Sequence, residues 1–219
     1  MRTAFSVNSD SKLLDPLPKS DEPSVMHISV ISGSPRKDSN SLRVSRALAK
    51  NLTERGHNCP SPIDFHNADI PLVGRGSLDP TSLSSFQKEL IDSMRASSLV
   101  IFVVPEYNWI TSGEIINAIH QIGNKDLKDV FHNRTFAMVG VSTGRGGRRP
   151  AIEMQTLVNK MISFTDGRAI VSPRLLESHE TEKNLDAQGE SLGNTIYEKT
   201  MNAFLDYSLD ITEMWFAGR

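Results

Sequence analysis

Apolar and polar positions switch between two periods along this chain. Residues 26–32 (MHISVIS) are rich in β-branched side chains and stop at Gly33, which predicts a strand. Residues 41–55 place Leu42, Ala49 and Leu52 at near-helical spacing with charges between them, and Gly56 follows as a stop. Residues 62–65 read as a short strand. Asp79 and Pro80 then open a window to residue 96 in which Leu83, Phe86, Leu90, Ile91 and Met94 share one helical face. Residues 98–104 (SLVIFVV) are apolar without alternation, so the strand they predict is buried on both faces. A helix over 112–122, a second buried strand over 135–141 (TFAMVGV), a helix over 150–164, a short strand over 169–171 and a long terminal helix over 189–215 complete the pattern.

Strands separated by helices in strict alternation imply right-handed βαβ crossovers and a parallel sheet with helices on both faces, an α/β doubly wound fold. One domain is expected over 25–219. Residues 1–24 hold clusters of turn and charged residues with neither period, and are expected to be an arm that is mobile or docks on a partner subunit. In such folds ligands bind beyond the carboxyl ends of the strands, where the strand order reverses. The loops after the first, third and fourth strands are therefore the ones to read for chemistry.

Composition narrows the field. Among 219 residues, 38% are hydrophobic and 23% charged, an ordinary globular balance. The net charge of −2 gives no basic field for nucleic acid. The longest apolar run, Leu99 to Val104, falls far short of the roughly 20 residues of a membrane helix. Cys59 is the only cysteine, which excludes an internal disulfide, and the first residues carry no apolar signal stretch; together these lead to the expectation of a cytoplasmic protein. The six histidines show no metal-ligand spacing, so no metal is expected, and Cys59 has no cationic neighbour to activate it as a nucleophile.

The first loop is Gly33-Ser34-Pro35-Arg36-Lys37-Asp38-Ser39-Asn40-Ser41. Ser34, Ser39, Asn40 and Ser41 offer short polar groups, Arg36 a forked cation, and the helix start free N–H groups with partial positive charge. It is neither a Walker A loop nor G-x-G-x-x-G, and it suits a terminal phosphomonoester better than a pyrophosphate; a plain capped turn is the alternative. The second loop, Pro105-Glu106-Tyr107-Asn108-Trp109, follows the most buried strand and presents rings and amides to the crevice. Tyr107 and Trp109 either receive a flat heterocycle or plug a hydrophobic gap, and Glu106 orients the loop. The third, Ser142-Thr143-Gly144-Arg145-Gly146-Gly147-Arg148-Arg149, exposes backbone N–H groups through its glycines. It is either a solvated loop or a nest against one edge of a ring system, with Arg145, Arg148 and Arg149 free for an anionic second ligand.

Three stretches taken together, G-S-P-R-x-x-S-x-S-L from Gly33, P-E-Y-N from Pro105 with G-x-x-x-N-A-I from Gly113, and S-T-G-R-G-G-x-R-P-A from Ser142, resemble the NAD(P)H-dependent FMN reductase family of flavodoxin-like quinone, azo-dye and chromate reductases. The resemblance covers about residues 26–205. It implies a five-stranded parallel sheet in the order 2-1-3-4-5, FMN as cofactor and NADPH or NADH as donor. It further implies a small-molecule acceptor and self-association to a dimer or tetramer. By the same resemblance, Ser34, Arg36, Ser39 and Ser41 match the FMN phosphate loop, Pro105, Glu106, Tyr107 and Asn108 the flavin-ring loop, and Ser142, Thr143 and Gly144 the loop that meets the other ring edge. The chain departs from the pattern at Trp109, where the family often has Gly, at Ser112, often Pro, and over Ile116–Gln121. A non-enzymatic electron carrier and a regulatory subunit are the competing readings. The weak net charge speaks against the first; Trp109 motivates the second.

Overall fold

The computed structural model describes residues 25–217; the arm expected over 1–24 lies outside the described residues. Five parallel strands, β1 (Ile28–Ser32), β2 (Ile63–Asp64), β3 (Leu99–Pro105), β4 (Arg134–Val141) and β5 (Ala169–Ser178), form one sheet in the order β2-β1-β3-β4-β5. Helices α1 (Asn40–Glu54), α2 (Ser85–Ala96), α3 (Gly113–Ile122), α4 (Arg148–Phe164) and α5 (Thr195–Ala217) cover it. The expected flavodoxin-like order holds.

The side-chain period of two divides the core. Leu99, Ile101 and Val103 join Ile28, Val30, Ala137 and Val139 beneath α1 and α5, with Leu48, Leu52, Phe204 and Leu205. Val100, Phe102 and Val104 face the other way, with Phe136 and Met138, against Leu90 and Ile91 of α2, Ile119 of α3 and Met154 and Val158 of α4. Both faces of β3 are fully buried, which is why its sequence lacks alternation. Phe102 and Phe136 stack across β3 and β4 with centroids 6.1 Å apart.

Element ends differ from expectation for local reasons. α2 begins at Ser85 instead of residue 80, because Ser84 and Gln87 form a reciprocal capping box. α4 begins at Arg148 instead of Pro150: Gly147, at φ +91°, turns the chain into the helix, and proline is tolerated in a first turn. β5 runs to Ser178 instead of ending at Val171. It is an edge strand, and a register shift opposite Phe136/Met138 accommodates Pro173. α5 begins at Thr195 instead of residue 189, because Gly189 and Gly193 are left-handed and the Asn194 side chain accepts from the N–H groups of Ile196 and Tyr197.

Candidate functional site

The carboxyl ends of β1, β3 and β4 open into one cleft of about 560 Å³. All thirteen residues of the expected cofactor set line it: Ser34, Arg36, Ser39, Asn40, Ser41, Pro105 to Trp109, and Ser142 to Gly144. Lys37 and Asp38, which the sequence reading placed in the first loop without a role, line it as well, as do Val141 and Glu182, which it did not single out. Glu182 arrives from a 3-10 turn over Thr181–Lys183, after β5, which no local pattern connects to the three loops.

In the first loop, Ser39 caps α1 by accepting the N–H of Leu42 at 3.1 Å. The first backbone bond of the helix runs from Arg43 N–H to Ser39 O, so the N–H groups of Asn40 and Ser41 precede the helical ladder. Ser41 is 1% exposed, and its Oγ has no hydrogen-bond partner in the protein. A buried hydroxyl without a partner, at the positive end of a helix and in the same cleft as Arg36, suits an oxyanion.

The second loop is tied to the first. Tyr107 OH lies 2.9 Å from Ser34 Oγ, and the Arg36 guanidinium sits 4.5 Å from the centre of the Tyr107 ring. Ser112 Oγ donates to Gly33 O at 2.7 Å. Asn108 and Trp109 both take positive φ, +48° and +77°, and Trp109 stands 70% exposed at the rim.

The third loop is held from two sides. Glu106, expected from sequence to orient its own loop, instead accepts the N–H of Gly147 in the third loop. His179, just past β5, accepts the N–H of Gly146 on Nδ1 at 3.1 Å. Ser142 N–H donates to Ser178 O, and Ser142 Oγ to Gly144 O at 2.8 Å. No described residue accepts from the N–H groups of Thr143, Gly144 or Arg145, which leaves three donors at the cleft. Of the three arginines expected to be free for a second ligand, Arg145 alone lines the cleft. Arg148 and Arg149 lie in the first turn of α4 and are engaged elsewhere, with Glu177 at 2.7 Å and Glu153 at 3.2 Å.

Outside the cleft, burial pushes the Cys59 thiol up to about 12, in keeping with a passive thiol. Among the described residues no cluster of metal-binding side chains occurs, and no helix is long and apolar enough to cross a membrane.

Comparison with known proteins converges on one family. A probable NADPH:quinone oxidoreductase 2 of Oryza sativa subsp. japonica is 28% identical over 193 residues, 85% of this chain and 89% of the relative. A 2-hydroxy-1,4-benzoquinone reductase of a Burkholderia species is 27% identical over 199 residues, 89% of this chain and 98% of the relative. The solved structure of FerB, a flavoenzyme NAD(P)H:(acceptor) oxidoreductase of Paracoccus denitrificans, shares the fold with a TM-score of 0.65 at 21% identity, over 87% of this chain and 98% of its own. Residues 26–172, which include β1 to β4 and all three cleft loops, match the family description itself. The protein belongs to the NADPH-dependent FMN reductase family, as an oxidoreductase that uses FMN and takes its electrons from a reduced nicotinamide nucleotide.

Proposed function

We propose that the cleft binds FMN in one orientation and serves electron transfer from NADPH or NADH to a small quinone or a free flavin. The observation that carries this is the buried, unpartnered Ser41 hydroxyl at the α1 N-terminus, inside a cleft walled by all three loops. Ser34, Arg36, Ser39, Asn40 and Ser41 would take the phosphate, through hydroxyls, a guanidinium and the free N–H groups of the helix. Pro105 to Trp109 would meet one side of the flavin ring, and Ser142 to Gly144 the opposite edge.

When bound, FMN supplies the redox chemistry, accepting a hydride from the nicotinamide and passing electrons on to the acceptor. The chain supplies position and electrostatics. The N–H groups of Thr143, Gly144 and Arg145, which line the cleft and have no acceptor among the described residues, would act as fixed donors that stabilise negative charge developing on a reduced ring. Glu106 keeps them in place by holding Gly147, so its role is support and no proton transfer is required of it. Tyr107 bridges to Ser34 and thereby couples the ring loop to the phosphate loop. Arg145, which lines the cleft, would meet an anionic group of the nicotinamide nucleotide.

The enzyme is further proposed to self-associate and to work in the cytoplasm. Ile110, 46% exposed, lines an apolar groove of about 310 Å³ with Thr111, Ile116, Glu153, Met154 and Leu157 between α3 and α4, and the neighbouring Trp109 is 70% exposed. A contiguous apolar rim of this kind favours a second copy over open solvent.

Arg36→Ala tests the orientation. It removes a charge-assisted phosphate contact, about 1.5–3 kcal/mol, and the FMN dissociation constant is expected to rise roughly 10- to 150-fold. A constant within about twofold of wild type would refute the phosphate assignment.

A further inference from the structure

The third loop reaches the cleft under the control of a side chain that has no place in the redox chemistry. The N–H groups of Gly146 and Gly147 are taken up by His179 and Glu106 respectively. The His179 bond links positions 33 residues apart, across the β4–β5 edge of the sheet. The chain bends to make it: Glu180, the next residue, is left-handed at φ +43°, and its N–H donates to Gly144 O at 3.2 Å. A non-glycine residue held there stores strain that the surrounding contacts must sustain, and such strain collects at functional positions. Asn184 Nδ2 fixes the His179 carbonyl at 3.0 Å. Two consecutive residues, His179 and Glu180, thus clamp opposite ends of the Gly144–Gly146 segment.

We infer that His179 is a positioning residue for the third loop: its ring Nδ1 holds the Gly146 N–H and so fixes the segment that would meet the flavin edge. This rests on the reading that Ser142 to Gly144 meet the flavin. Nδ1 accepts, so the ring carries its proton on Nε2, which lies 3.6 Å from Glu177 Oε2. Without that acceptor the Gly146 N–H would have no partner, and the third loop would lose one of its two ties to the segment after β5. The Glu106 carboxylate lies against Gly146 on the other side. Glu177 and Glu180 flank the ring on its own segment, Glu180 being paired with Lys183. Arg148 of α4 holds the other oxygen of Glu177 at 2.7 Å, and Arg145 of the third loop acts on Glu180.

The consequence is a third loop that keeps its place only while the His179 acceptor is present. The experiment measures FMN and riboflavin affinity of the wild type, His179→Ala, His179→Asn and Arg36→Ala. Asparagine places an amide oxygen where Nδ1 stands, and alanine leaves no acceptor. His179→Ala is expected to weaken FMN and riboflavin alike, roughly tenfold, the loss of one hydrogen bond, and His179→Asn to restore both to within about twofold of the wild type. His179→Ala binding both flavins like the wild type, or His179→Asn failing to restore them, overturns the role of His179, while Arg36→Ala still weakening FMN leaves the site reading intact. An Arg36→Ala variant that binds FMN like the wild type overturns that reading. If His179→Ala does not fold, hydrogen exchange of the Gly146 amide in the wild-type protein decides: the amide must be protected, and exchange at the rate of an open amide overturns the inference.

Discussion

Replacing Ser41 with alanine is expected to move two measurements in opposite directions. In the flavin-free protein the Ser41 hydroxyl is buried with no protein partner, and a desolvated polar group left in that state costs on the order of 1–3 kcal/mol. Alanine removes the group and creates almost no cavity. The flavin-free variant is therefore expected to be about 1 kcal/mol more stable, which raises the melting temperature by roughly 2–4 °C for a chain of this size. FMN binding goes the other way. A hydroxyl donating to a phosphate oxygen contributes about 1.5–3 kcal/mol, so the dissociation constant is expected to rise roughly 10- to 150-fold. The two figures are linked, because part of what binding gains is relief of the orphaned hydroxyl. Urea unfolding of flavin-free protein gives the first quantity, and fluorescence titration with FMN gives the second. Riboflavin, which lacks the phosphate, is the internal control, and its affinity is expected to be unchanged. Equal loss for FMN and riboflavin would show that Ser41 supports the ring side or the fold, and would refute the assignment of this loop to phosphate.

Three further expectations follow from the same structure. Trp109→Gly removes a left-handed, 70% exposed indole; relief of about 1–2 kcal/mol of backbone strain nearly offsets the extra freedom of glycine when unfolded, so the fold is expected to persist while light scattering shows a smaller particle. An unchanged mass would contradict the proposed contact face. Arg95 binds Asp129 through two bonds, 2.6 and 3.0 Å, and holds its carboxyl below the usual carboxylate range. Because the folded value lies below the unfolded one, the pair stabilises the protein above the unfolded carboxylate value of about 3.9, and this is lost as the pH falls through the folded value. Both groups are exposed, so Asp129→Asn is expected to cost about 0.5–1 kcal/mol near neutral pH, a gap that closes in acid; urea unfolding at several pH values would show a persistent acid gap if the pairing is wrong. With its thiol pushed up to about 12, Cys59 is expected to react with a thiol reagent at about pH 8 a hundredfold or more slower in native than in unfolded protein, and equal rates would contradict its burial.

What the sequence disclosed followed from local chemistry. The unalternating run 98–104 marked the central strand because both its faces are covered, and the Ser-rich, Pro-terminated and Gly-rich loops stood after the strands whose carboxyl ends converge. What it withheld depends on distant closure. β5 beyond Pro173 looks like a strand only when β4 lies beside it. Arg148 and Arg149 read as loop cations until Gly147 starts α4 beneath them and Glu177 and Glu153 engage them. His179 and Glu182 come from the β5–α5 connection, and nothing near them in sequence points to the cleft. Trp109 was visible as a departure from the family pattern, while its left-handed backbone, the reason glycine would suit that position, was not.

The most direct test of the account is an anaerobic titration of the FMN-loaded protein. Addition of NADPH is predicted to bleach the flavin absorbance at one equivalent per bound FMN, and a small quinone added afterwards to restore it at the same stoichiometry. A protein that binds FMN but keeps its oxidised spectrum with both NADPH and NADH, or that bleaches and is not reoxidised by any quinone or free flavin, would contradict electron transfer through this cleft.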